Sequence, residues 1–480
     1  MKRRSLFLLA PALIACAPRA TPDPAPSASP ATSVATTPLQ RGPGAGAISA
    51  PNQDPFESTY RPRRSVPTVI RNVTILTAAG PAIRNGAILL RDGKIVAVGA
   101  TVESPAGATV IDGTGKYVTP GIVDNHSHLG VYAAPGVEAL SDGNEMTNPV
   151  TPNVWAEHSV WPQDPQFPRI LAGGVTTIQV LPGSANLIGG RGVTLKVVPG
   201  RTVQDLKFPD AKHGLKMACG ENPKRVYASR GPSTRMGNVA GYRTAWINAE
   251  QYRRRWDKWL SDRSGDPPAR DLGLETLADV LRGNILVHNH CYRADEMAQM
   301  IDIAGEFGYR IRSFHHGVEA YKVADLLARD SIGASVWADW GAFKMEAMDG
   351  VKANLPILHH AGVRAIVHSD DPSGAQRLNQ EAAKAMAAGR RIGLAVSEDD
   401  AIRWLTINPA WSLGLDDRIG SLEPGKNADV VLWSGNPFSV YSRAEKVWID
   451  GALMFDRLDP SQRWRTDFEL GFVPNGEDIP

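Results

Sequence analysis

Three cysteines in 480 residues, Cys16, Cys219 and Cys291, are too few for a disulfide scaffold. Cys219 and Cys291 allow at most one bridge, and buried thiols are the expected state. Charge of one sign is also lacking. The formal net charge of +2 falls to −1 once the three cations Lys2, Arg3 and Arg4 leave with an N-terminal leader, which removes the field a nucleic-acid partner requires. The densest basic run, Arg253-Arg254-Arg255, stands among Trp256, Asp257 and Trp259 and reads as a solvated helix face. The apolar stretch from Ser5 to Ala15 is too short to span a bilayer comfortably. What is present is a 42% share of hydrophobic residues, enough at this length to bury a large core and to exclude a disordered chain.

The cationic start Met1-Lys-Arg-Arg4 followed by that short apolar stretch is a leader, and residues 1–15 are read as a lipoprotein signal peptide. Leu13-Ile-Ala-Cys16 resembles a bacterial lipobox, in which cleavage precedes the cysteine and the thiol is lipidated. Cys16 is then the first mature residue. The protein is expected in the cell envelope, exported and held to a bacterial membrane by that lipid. Residues 16–65, rich in Pro, Ala, Ser and Thr without regular apolar spacing, read as a flexible tether.

Order begins near Val66. Thr68–Leu76 and Gly86–Val98 are β-rich runs with Gly-Pro and Asp-Gly turns, and matching runs recur at Lys426–Trp433 and Lys446–Gly451. Segments 66–118 and 416–460 are therefore expected to form one small β-sandwich domain from both chain ends, with 461–480 as a tail. Between them, over 119–415, short apolar runs such as Gly174–Val180, Asn284–Val287 and Val363–Val367 alternate with helical stretches such as Arg293–Phe307 and Gln376–Ala388. That alternation gives an α/β fold, a (β/α)8 TIM-like barrel whose active site lies at the C-terminal strand ends.

The chemistry clusters at those ends. In Tyr117–His128 the pair His126 and His128 are two apart on an extended strand and point to one side, so both can reach one cation. Such a pair alone is weak evidence. However, His288 and His290 end a later run, His315 and His316 end the next, and His368 and Asp370 end another. Packing would not scatter eleven histidines in this way, so the set reads as ligands although no single residue must be one. In each doublet one histidine can be a partner that fixes a ligand's tautomer.

From about Val66 to Asp456 the chain resembles the amidohydrolase superfamily, and within it the imidazolonepropionase-like group. Pro120-Gly-Ile-Val-Asp-Asn-His-Ser-His128, the split sheet domain and Ile419-Gly-Ser-Leu-Glu-Pro-Gly-Lys-Asn-Ala-Asp-Val-Val431 carry the resemblance. It implies His126 and His128 on the more buried metal, His290 and His316 on the second, and Asp370 as both ligand and proton shuttle. His290 is preferred to His288 because it opens the run His-Cys-Tyr-Arg-Ala-Asp, and His316 because a glycine follows it. The bridging ligand is open between Lys216, carboxylated, and Glu221, which is slightly favoured because it needs no carbon dioxide adduct.

A cation at such a site lowers the pKa of bound water toward neutrality and so supplies hydroxide. Asp370 would take the proton and pass it to a leaving nitrogen, with His368 polarising the carbonyl. The reaction expected is hydrolysis of an amide, cyclic amide or dipeptide-like bond, with one or two divalent ions, zinc first among those that suit these donors. An ester or lactone hydrolase on the same site and a non-catalytic surface binding lipoprotein are the alternatives. Candidate substrate contacts are Tyr227, Arg235, Arg293 and Trp340, either arginine serving as a carboxylate clamp, although for each arginine alone a structural salt bridge is the expected role. Expected partners are a small molecule, the membrane through the anchor alone, no nucleic acid, and a possible second copy of the chain.

Overall fold

The Asp92-Gly93 turn, with φ of 53° and 77° at the two residues, joins two antiparallel strands, the backbone that a tight hairpin demands. It belongs to a computed structural model that describes residues 51–462 and 464–466. The leader, Cys16, most of the tether and most of the C-terminal tail lie outside the described residues. Strands β1 (Thr68–Ile75), β2 (Ile83–Arg91), β3 (Lys94–Gly99), β4 (Thr109–Asp112) and β5 (Tyr117–Pro120) open the described chain. Gly121 alone separates β5 from β6 (Ile122–Ser127), and a Cβ there would meet Thr176 Oγ1 at 2.1 Å. The chain thus passes directly from one sheet into the other.

The second sheet continues through β7 (Val175–Val180), β8 (Ile188–Lys196), β9 (Gly214–Ala218), β10 (Leu286–His290), β11 (Ile311–His315), β12 (Gly333–Val336) and β13 (Ala365–Val367), in sequential order. It forms a nearly closed TIM-like barrel. The two edge strands meet where Asp370 N donates to His126 O at 3.0 Å and Ser369 donates to Asp124 from N, at 3.1 Å, and from Oγ, at 2.5 Å. Uniform parallel alternation is not kept. β8 runs antiparallel to both β7 and β9, because the connection 181–187 is too short for the helical crossover that a parallel neighbour needs. Elsewhere helices do cover the barrel. Ala294–Phe307 buries Met297, Met300, Ile303 and Ala304 at helical spacing, and Leu378–Arg391 buries Leu378, Ala382, Ala385 and Met386. On the long helix Arg235–Asp262 the inner face is Tyr242, Trp246, Ala249, Tyr252 and Trp256, with Arg254 and Arg255 turned to solvent.

β14 (Val430–Trp433), β15 (Ala444–Ile449) and β16 (Ala452–Asp456) return to the first sheet, where β14 pairs antiparallel with β5. Hydrogen bonding runs continuously along β16-β15-β14-β5-β1-β2-β3, with β4 beside β1, as one eight-stranded sheet. Its own core joins Ile70, Val73, Ile88 and Leu90 from the first segment with Val430, Leu432 and Trp448 from the last.

Two expectations change. Cys219 and Cys291, taken as thiols, are joined as a disulfide with Cα atoms 5.3 Å apart, since each directly follows one of two paired strands. The end of the supposed tether is docked. Lys207 Nζ donates to Asp54 and to Phe56 O, both at 2.8 Å, Arg191 donates to Gln53 O, and the Tyr60 hydroxyl donates to Asp450. Buried cations at the N-terminal end of the barrel require such partners.

Candidate metal centre

The strand alternation that points Asp124, His126 and His128 to one side of β6 aims them at the barrel axis. His126 is fully buried, whereas the His128 side chain keeps 12% of its exposure at the mouth. Asp370, just beyond β13, lies between three imidazoles. Its Oδ1 is 3.4 Å from His126 Nε2, 3.2 Å from His128 Nε2 and 3.6 Å from His316 Nε2. Both His316 and Asp370 have positive φ, 57° and 62°. Left-handed backbone at two residues without glycine's freedom is strain that the surrounding strands sustain. It turns these side chains inward at the point where each strand ends.

Two overlapping groups, His126 with His316 and His368, and His126 with His128 and Asp370, bring one ligand atom each within 4.8 Å of the others. His290 joins them at a ring distance of 4.8 Å from His316. Buried polar atoms ordinarily have partners, yet both His290 nitrogens and His316 Nε2 have no hydrogen-bond partner. Burial pushes His126, His290 and His316 well below the usual imidazole range, which keeps them in the neutral form that binds metal. Burial alone would raise the Asp370 carboxyl, but the hydrogen bond and charge of His128, with His368 and Lys216 beyond, hold it below the ordinary range. The donor set therefore fits a divalent cation.

Lys216, on β9, is buried, and burial pulls its amine down to about 7. Its Nζ lies 3.3 Å from His126 Nε2 and donates to Pro182 O at 2.9 Å. Glu221, the favoured bridge in the sequence reading, is not brought to this cluster. It begins the short helix Glu221–Val226 and faces Lys344 Nζ at 3.4 Å, because β9 ends at Ala218 and the chain has left the axis. His368 is buried with Nε2 2.7 Å from His316 Nδ1 and with Trp337 stacked across it, ring centroids 4.8 Å apart. It is a partner of His316 and not an open carbonyl contact.

Three of the four substrate candidates have partners within the chain. The Tyr227 ring is buried and its hydroxyl donates to Asn148 O at 2.9 Å. Arg235 pairs with Glu346 and, at 3.2 Å, with Glu296, while Arg293 forms a two-point pair with Asp295. Both guanidinium groups are thus already engaged by carboxylates of their own chain, which takes up part of the fork a ligand would need. Trp340, 47% exposed, packs edge-on against Trp337 and lines the mouth. Cavities of about 210 and 200 Å³ flank these two rings, one reaching His316 and the other His368. Sequence reasoning missed the Asp124–Ser369 link that closes the barrel. Asp124 stands inside the histidine motif, but nothing local reveals a partner so far along the chain.

The sequence model described as the Amidohydrolase family matches residues 264–456, a span that holds His290, His316, His368 and Asp370. The crystal structure of an amidohydrolase from Thermotoga maritima MSB8 is 39% identical with a TM-score of 0.75, covering 81% of this chain and 100% of that one. Amidohydrolase tasK of Hapsidospora irregularis is 36% identical over 431 residues, 81% of this chain, and this chain spans 43% of its length. An imidazolonepropionase of Mesorhizobium japonicum is 26% identical over 76% of this chain and 91% of its own. With the barrel and its converging histidines, these similarities lead to one assignment: the chain belongs to the amidohydrolase superfamily.

Proposed function

We propose that this protein is a metal-dependent hydrolase of a carbon–nitrogen bond in an amide, cyclic amide or dipeptide-like small molecule. The observation that carries the reading is the convergence of His126, His128, His316 and Asp370, with His290 beside His316 and with both His290 nitrogens and His316 Nε2 buried without a hydrogen-bond partner. Relatives named imidazolonepropionase and 5-methylthioadenosine/S-adenosylhomocysteine deaminase support it.

A divalent cation, zinc by the donor set, would be held by these histidines and Asp370, with Lys216 beside His126 as the bridging candidate, and would supply a Lewis acid and an activated water. Asp370 is the base. It is ionised, its side chain is 28% exposed at the mouth, and its Oδ1 is within reach of three imidazoles. From that position it takes a proton from water and returns it to the departing nitrogen. His368 orients His316 through the 2.7 Å contact. Trp337 and Trp340 screen the site from bulk water and offer an apolar wall to the substrate.

Export with a lipid on Cys16 is part of the proposal, and the Cys219–Cys291 disulfide supports an oxidising compartment. Cys16→Ser should release the protein from the membrane fraction, and a variant that stays there contradicts the anchor. For the reaction, the test is chelation followed by restoration of metal, read on a panel of dipeptides, acyl-amino acids and cyclic amides. Turnover should vanish and return. Cleavage that persists in the stripped protein refutes the reading.

A further inference from the structure

The barrel axis beneath the metal centre is not filled by branched aliphatic side chains in the manner of most parallel barrels. It holds a string of buried polar groups instead. His126 Nδ1 lies 2.6 Å from His315 Nδ1. On its other side, His315 Nε2 is 2.7 Å from Ser313 Oγ and 3.2 Å from His288 Nδ1. Ser313 Oγ is 3.0 Å from that same His288 nitrogen, and His288 Nε2 is 3.2 Å from the side-chain amide of Gln179. All five side chains are shut off from solvent. We propose that His315 is a positioning residue that holds His126 in the one tautomer able to bind a cation, and that Ser313, His288 and Gln179 hold His315 in turn.

Proton counting along the string leads to this assignment. A neutral imidazole carries one hydrogen, and a nitrogen that binds metal must be the one without it. His126 Nε2 is the nitrogen that faces Asp370 and Lys216, so its hydrogen belongs on Nδ1 and is donated to His315 Nδ1. The hydrogen of His315 then sits on Nε2 and is donated to Ser313 Oγ. The serine hydroxyl donates to His288 Nδ1, and His288 Nε2–H is left to donate to Gln179. Amide oxygen and nitrogen are alike in shape. Turned so that Oε1 meets His288, the Gln179 amide gains a donor for an oxygen that otherwise has no partner. Every bond now runs one way, from ligand to barrel interior, and the reverse direction would place a hydrogen on the very nitrogen that the cation needs.

Gly214 supports the arrangement. A Cβ at that position would lie 2.7 Å from both Gln179 Nε2 and His288 Cδ2, so the inner end of the string occupies space that only glycine leaves. Burying five polar side chains where aliphatic ones would pack gains little stability, since each must first be desolvated. The return is control of a ligand's hydrogen.

The inference rests on the metal-centre reading, and the experiment separates the two. Zn²⁺ affinity of the metal-stripped full chain is measured by competition with a chromophoric chelator, alongside thermal melting. His315→Leu removes the acceptor and should weaken Zn²⁺ binding by about 10- to 100-fold in protein that is still folded. His315→Gln, whose oxygen can accept from His126 Nδ1–H, should recover most of that loss. A merely structural role lowers the melting temperature of both without separating their affinities. Gly214→Ala crowds the far end of the string without touching His315 and should weaken binding several-fold, which keeps the test open if His315→Leu fails to fold. Folded His315→Leu with the parent's affinity, Gln no better than Leu, or an unaffected Gly214→Ala each overturns the relay alone. A parent chain that takes up no Zn²⁺ overturns the metal centre and the relay with it.

Discussion

Two buried clusters of carboxylate and imidazole stand at opposite ends of one barrel, and they differ in whether the chain provides their counter-charge. At the N-terminal end, Lys207 Nζ sits 2.8 Å from both Asp54 and Glu157, with His213 Nε2 3.7 Å from each carboxylate. Asp54, Glu157 and His213 have the spacing of a metal group, but an ammonium already occupies their centre. At the C-terminal end, Asp370 lies beside His126 and His316, whose imidazoles burial keeps neutral, and the nearby amine, Lys216, is itself pulled down to about 7. Similar residue types thus serve a clasp at one end and a candidate reaction centre at the other. What separates them is the Lys207 ammonium at the centre of the clasp and the strained backbone at His316 and Asp370 at the other end.

The contrast breaks most severely at the reaction end. His126→Ala or Asp370→Asn should lower turnover by at least about 10³-fold, the scale on which a site of this kind loses a ligand or its base. Circular dichroism and melting should show the fold intact. Retained turnover in either variant would remove the distinction between the two ends.

At the clasp the expected loss is in stability. Lys207→Met leaves Glu157, 1% exposed, without its partner, and breaking a buried pair in this way costs about 3–5 kcal/mol. Denaturant unfolding should register it, while turnover per folded molecule stays at the parent level. A variant of unchanged stability would mean that the ammonium is not what satisfies the cluster.

Acid should act on both ends. Burial, the largest cause in each case, brings His213 and His288 down to about 3 and His368 to about 4. A histidine whose folded pKa is depressed binds its proton first in the unfolded chain, so stability is lost as pH falls below about 6.5 and the loss stops near the folded value. The slope is about 1.4 kcal/mol per pH unit for each such group. Metal-free protein should therefore lose stability steadily from pH 6.5 toward 4, as followed by urea titration at each pH. His213→Gln should make that slope shallower by one group's share, and an unchanged slope would exclude the clasp from it.

The smallest effect belongs to the mouth. Trp340→Ala should raise KM a few-fold with kcat nearly unchanged for substrates with an apolar group, because the ring offers surface and no chemistry. A loss confined to kcat would argue that the ring does more.

The barrel and its histidines could be read from the sequence because both are local patterns: short apolar runs, each closed by a ligand-type residue. His126 and His128 announce themselves by spacing alone. What the sequence hid depends on geometry between distant segments. His316 is legible through the glycine that follows it, whereas the positive φ that aims its ring and the place of His315 beneath it are not. Arg235 and Arg293 allow a clamp or a structural salt bridge from the sequence, and Glu346, Glu296 and Asp295 beside them supply the salt bridge. Glu221 and Lys216 are five positions apart, and the end of β9 at Ala218 decides which of them faces the axis. The antiparallel β8 and the disulfide likewise follow from which strands are neighbours, a fact no short stretch contains.

The most direct measurement is the metal content of the full chain purified without chelator, beside His126→Ala prepared in the same way. The account requires one or two divalent ions per parent chain and a marked loss in the variant. A folded parent without stoichiometric metal, or a variant that retains the parent's full complement, would contradict it.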